Sequence, residues 1–135
     1  MTASNLVANS VFVCPPVLAS YTPSSAVAAT ARVLHVINGE HFSGAERVQQ
    51  LLGRGLPKFG FEADFACVKQ GKFPELCGLP EQRVITVPMQ GRFDWTVVGR
   101  LARVVSDRKI EILHAHTPRT ALVTSLVAQK TGLPW

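Results

Sequence analysis

One unit, beginning at Arg32, constrains the fold of this chain more than any other: an apolar run, a Gly-containing turn and a capped helix in direct succession. Val33, Leu34, Val36 and Ile37 form a β-branched and apolar stretch ending at Asn38-Gly39, as a buried parallel strand does. Ser43, Gly44, Ala45 and Glu46 then supply the S-x-x-E capping box that opens a helix. Ala45, Val48, Leu52 and Leu56, with Leu51 beside them, give that helix an apolar face. Gly53 and Gly55 weaken its last turns and Pro57 ends it.

The pattern recurs along the chain. A second strand is predicted over residues 63–68 and a third over 83–87, with a Gly/Pro-punctuated connection over 71–80 between them. Asp94 reads as an N-cap for a helix whose apolar face is Val97, Val98, Leu101, Val104 and Val105. A fourth strand over 110–113 stops at His114-Ala115-His116, and Thr117 and Pro118 fit the N-cap and first position of a helix reaching about Lys130. The final Gly132-Leu133-Pro134-Trp135 reads as a helix stop followed by the first residues of another strand. This order predicts an α/β fold, a parallel Rossmann-like sheet with flanking helices.

Composition bounds the rest. A chain of 135 residues with 47% hydrophobic and 17% charged residues supports one core-bearing domain. Residues 1–31 carry no Lys, Arg, Asp or Glu and no sustained period, so they read as a disordered leader ahead of a domain over 32–135. The net charge of +5 is spread along the sequence, which suits an anionic ligand or a membrane surface and argues against nucleic acid. Cys14, Cys67 and Cys77 make an odd set without C-x-x-C pairing or a metal-spaced His, pointing to a reducing, cytoplasmic setting, with Cys67 as a small buried hydrophobe. No stretch reaches the roughly 18 to 20 apolar residues of a spanning helix, so the chain is expected to be soluble or at most peripheral. Residues 6–19 lack the basic segment of a secretory signal and contain Pro15 and Pro16.

Several residues carry candidate chemistry, each with a plainer alternative. The loop from Asn38 to Glu46 is either a turn with a helix cap or an anion site at a helix N-terminus. Ala45-Glu46 stands where a P-loop needs Lys-Ser/Thr, and no G-x-G-x-x-G dinucleotide fingerprint is present. His114 and His116, two apart at a strand end, are predicted to point the same way at the edge where α/β sheets bind ligands; one buried and one solvated histidine is the alternative. Arg119 and Arg92 would face the same rim, as ligands or as solvated charges. His35 reads as a core or edge histidine, and Phe42, Phe93 and Trp95 as cover for the core ahead of pocket lining.

Together, Val33-Leu34-His35-Val36-Ile37, Phe42-Ser43-Gly44-Ala45-Glu46-Arg47-Val48 and Ile112-Leu113-His114-Ala115-His116-Thr117-Pro118-Arg119 resemble the N-terminal domain of family 4 glycosyltransferases, over about three quarters of the chain. The resemblance implies the incomplete N-terminal half of a two-Rossmann-domain GT-B fold. It implies retaining sugar transfer from a nucleotide-sugar donor to a glycan, lipid or small-molecule acceptor held by this domain. Ser43 and Gly44 match the loop that approaches the donor diphosphate, with Ser43 replacing the family's first glycine. His114, His116 and Thr117, with Arg119 beside them, match the acceptor side, and Arg92 sits where relatives place a basic residue for an anionic acceptor. The nucleotide-sugar is a substrate, and neither a cofactor nor a metal is assigned. The family's donor-contacting glutamates would lie in a second domain beyond Trp135, supplied in cis or in trans, so the chain alone is expected to be a truncated, inactive fragment. Its expected place is the cytoplasm, at most the inner face of the membrane.

Two other classes fit some of the same residues. A metal-dependent hydrolase could use His114 and His116, with Asp94 or His41 as the evident third ligand. A non-catalytic module that recognises a phosphorylated or glycosylated ligand needs only the loops.

Overall fold

The computed structural model describes residues 31–91 and 94–135; residues 1–30 of the expected leader, Cys14 among them, and Arg92 and Phe93 lie outside the described residues, whereas the leader's last residue, Ala31, opens the first strand. The elements run β1 (Ala31–Ile37), α1 (Gly44–Gly55), a 3-10 turn (Leu56–Phe59), β2 (Phe61–Cys67), α2 (Phe73–Leu76), a second 3-10 turn (Glu81–Arg83), β3 (Val84–Thr86), α3 (Thr96–Asp107), β4 (Ile112–Ala115) and α4 (Pro118–Thr131). The four strands form one parallel sheet in the order β3-β2-β1-β4. Beyond β4, the Leu113 N–H donates to the Pro134 carbonyl at 3.0 Å, so the last residues do run alongside β4.

The chain reverses its direction across the sheet at β1. From there it adds β2 and β3 on one side and returns, through α3, to add β4 on the other. Such a reversal leaves a crevice at the carboxyl ends of the two strands that flank it. One face of the sheet packs Leu34, Val36, Ala66 and Leu113 against Val97, Leu101 and Val105 of α3 and Val123 and Val127 of α4. The other packs Ile37, Ala63, Phe65 and Cys67 against Phe73, Cys77 and Leu56. Burial on both faces is what the near-continuous apolar β1 and β2 require.

Several expectations shift, with β2 starting two residues early at Phe61 and β3 shortened to Val84–Thr86. The fourth strand begins two residues late, because Lys109 takes a left-handed turn (φ 53°) after α3 and tucks Ile110 into the core before the ladder starts. His114 therefore lies inside β4. The 71–80 connection contains the one-turn α2, with Phe73 and Cys77 buried. The predicted apolar face of α1 is also rotated: Val48 is 52% and Leu51 65% exposed, whereas Gln49 is buried. The inner stripe is Gln49, Gly53 and Leu56, because a side chain on Gly53 would come within 2.7 Å of Leu79 and 3.0 Å of Phe65. The missing Cβ lets that side of the helix lie close to β2. No described helix is long and apolar enough to cross a membrane.

Candidate functional site

The reversal point is bordered by two capped helix starts. At the end of β1, the Glu46 carboxylate accepts hydrogen bonds from the Ser43 N–H at 3.1 Å and its hydroxyl at 2.6 Å, closing the capping box of α1. At the end of β4, Thr117 Oγ1 accepts from the Thr120 N–H at 3.2 Å while Thr120 Oγ1 accepts from the Thr117 N–H at 2.9 Å. Both helices thus direct their positive ends to the carboxyl edge of the sheet.

The first loop is held from below. Gly39 adopts a positive φ of 78°, and a Cβ there would lie 2.7 Å from Cys67 Sγ. Gly71 passes so close that a Cβ would sit 2.4 Å from the Glu40 backbone. Lys69 and Phe73 donate to the Asn38 and Gly39 carbonyls at 2.9 and 3.2 Å. Glu40 pairs with Lys69, whose hydrogen bond holds its carboxyl below the usual range, and Arg119 is exposed in the first turn of α4. Ser43 and Gly44 are exposed, and the space over Gly44 is open.

Across the crevice, the register pairs His35 of β1 with His114 of β4, so their side chains share one face of the sheet. His116 continues past the strand, and the His114 and His116 ring centroids lie 4.3 Å apart, as the two-residue spacing predicted. The structure adds two residues to them. His35 is 1% exposed, and its Nδ1 lies 3.0 Å from His116 Nε2. Gln49 of α1 reaches the other side of that ring, with its amide nitrogen 2.7 Å from His116 Nδ1. Burial, then the neighbouring His116 and His114, push the His35 imidazole down to about 3; burial, then His114, push His116 down to about 4. Both rings are neutral at physiological pH, hydrogen-bonding groups with no fixed charge.

Asp94 and His41 do not join this group. Asp94 lies one residue ahead of Trp95, the N-cap of α3, where it accepts from the Gln90 and Thr96 N–H groups and pairs with Arg100, and His41 is exposed beside Glu40. Phe42 packs on Phe73 with 6.3 Å between centroids, and Trp95 is 57% exposed. Arg92 lies outside the described residues. A groove of about 240 Å³ opens beside the histidines, lined by Val33, His35, Leu52, Leu56, Phe61 and His114. This groove runs along the α1 face of the sheet from His35 and His114 towards Phe61 at the start of β2, and two further grooves, about 490 and 260 Å³, lie at the amino ends of the strands. Ion pairs occupy them: hydrogen bonds from Arg83 and then Arg32 hold the Glu62 carboxyl down to about 2, and buried Asp64 pairs with Arg83 and Arg108.

Two crystal structures of HepE from Anabaena, one in complex with UDP and glucose and one with UDP, share this fold with TM-scores of 0.59 and 0.55. Each is 14% identical over 78% of this chain, which spans 28% of the HepE length. No curated protein matches the chain in sequence. The model of the glycosyl transferase 4-like domain matches residues 43–135, from the cap of α1 through the histidine pair to the last residue. The chain belongs to the glycosyl transferase 4-like family.

Proposed function

We propose that this domain forms the acceptor side and the diphosphate edge of a retaining glycosyl transfer that uses a nucleotide-sugar as donor. The observation that carries the reading is the 2.7 Å Gln49–His116 contact, which joins the second turn of α1 to the loop that leads from β4 into α4. Ser43 and Gly44 let a departing diphosphate approach the positive end of α1, the Ser43 N–H itself being held by Glu46 and the space over Gly44 open. His114, His116 and Thr117 are assigned to hydroxyl groups of a glycan, lipid or small-molecule acceptor, His116 by exchanging its contact with His35 or Gln49, with Arg119 for an anionic part of the acceptor. Arg92 is assigned to the same role on the resemblance alone. UDP in the HepE crystals supports a nucleoside diphosphate as the donor's leaving group.

In this reading the nucleotide-sugar is consumed as substrate and no cofactor takes part. A second domain, in cis or in trans, contributes the contacts to donor ribose and sugar, so these 135 residues bind without turnover. Buried, free Cys67 and Cys77 support a reducing, cytoplasmic setting, where the acceptor is met in solution or at the inner face of a membrane. Equilibrium binding of UDP, GDP and ADP to the chain and to Gly44→Asp tests the reading. At least one nucleotide should bind, and the new carboxylate should weaken it by about tenfold or more, through like-charge repulsion at the helix start. Failure of all three to bind, or equal binding by the variant, contradicts it.

A further inference from the structure

We propose that His35, His114 and His116 form a transition-metal site on the α1 face of the sheet, with Zn²⁺ as the fitting ion. Each imidazole offers a ring nitrogen, and these nitrogens lie within 4.8 Å of one another. In a tetrahedral zinc site with Zn–N near 2.0–2.1 Å, ligand nitrogens stand about 3.4 Å apart. His35 Nδ1 and His116 Nε2, at 3.0 Å, are already near that spacing. His114 closes the remainder with a shift of about 1.4 Å or less, and as an exposed side chain it has the torsional freedom to do so.

The surroundings fit an ion better than they fit the three rings alone. The Gln49 amide nitrogen donates to His116 Nδ1, which leaves the buried Gln49 Oε1 without a partner. It also leaves a proton on His116 Nε2, shared with His35 Nδ1. A metal in place of that proton sends the His116 proton to Nδ1. Turned over, the Gln49 amide then accepts it through Oε1, the outer-shell arrangement that ligating histidines use. With His35 Nδ1 accepting the His116 Nε2 proton, the His35 ring carries its own on the buried Nε2, which leaves the Nδ1 lone pair as the ligand atom facing His116. Both His35 and His116 are neutral without acid–base cost, as ligation demands. Val33, Leu52, Leu56 and Phe61 line the groove beside the rings. Three protein nitrogens with His114 at the solvent leave the fourth position open.

The site shares His114 and His116 with the proposed acceptor side, so zinc and acceptor compete for these nitrogens; the transfer reading itself calls for no metal, and zinc binding is tested without it. The test is titration of the untagged 135-residue chain with Zn²⁺ by calorimetry and with Co²⁺ by visible absorption. One equivalent should bind, and Co²⁺ should give the intense bands of four-coordination without a thiolate charge-transfer band. His114→Ala, at an exposed position, should keep the fold by circular dichroism yet lose more than the roughly 10- to 100-fold in affinity that outer-shell changes cost. Gln49→Leu should fall within that range, and His41→Ala should leave binding unchanged. No stoichiometric binding, six-coordinate Co²⁺ spectra, or His114→Ala with parental affinity would each overturn the proposal.

Discussion

His35 occupies a core position in β1 while carrying a titratable ring, and that conflict gives it a measurable signature. Below the unfolded value of 6.5, the unfolded chain binds protons that folded His35 and His116 refuse until about 3 and about 4. Stability is thus fully present above pH 6.5 and falls as pH drops towards 4, with His35 contributing about 1.4 kcal/mol per pH unit. Glu62, held down to about 2 from 4.5, loses its contribution only at lower pH. Thermal unfolding of the parent should therefore drop between pH 7 and 5, and His35→Gln should flatten the slope. Equal slopes would mean that His35 is not buried neutral. Gly71 is the second residue whose chemistry is fixed by its neighbours. Gly71→Ala, with its Cβ forced against the Glu40 backbone, should cost about 1–3 kcal/mol in chemical unfolding. A cost near zero would show that the loop after β1 is not pinned there.

Elements with local signals were legible in advance. The caps at Ser43 and Thr117 are written in adjacent residues, and the α3 face at Val97, Leu101 and Val105 follows its period. The rotation of α1 was not legible, because Val48 and Leu51 satisfy the apolar period as well as the residues that are actually inside. A glycine at 53 and a polar tie from Gln49 to His116 decide between them, and both depend on the partner surface. The same contrast predicts different outcomes for two helical glycines. Gly55→Ala, with open space around it and ordinary helical φ, should stabilise by about 0.5–1 kcal/mol. Gly53→Ala should gain nothing or destabilise, since Leu79 and Phe65 must give way. Denaturant midpoints of the two variants separate these cases, and a matching gain at both sites would contradict the packing of α1.

At the scale of the molecule, the alternation of strand and helix announced a parallel sheet, but strand order and register are long-range facts. They alone bring His35 opposite His114, two strands adjacent in space and far apart in sequence. The pair at His114 and His116 was therefore visible, while its third member and the Gln49 tie were not. Asp94 and His41 were the natural candidates for a third ligand only as long as β1 had no neighbour. The same reversal of the chain at β1 places the candidate crevice at the carboxyl edge, opposite the larger ion-paired grooves around Arg32 and Arg108. Backbone amide NMR shifts during titration with UDP compare the two ends directly. Perturbed amides should cluster at Ser43, Gly44 and the 116–119 turn, whereas shifts confined to Arg32, Glu62 and Arg108, or no shifts at all, would contradict a diphosphate site at the carboxyl edge.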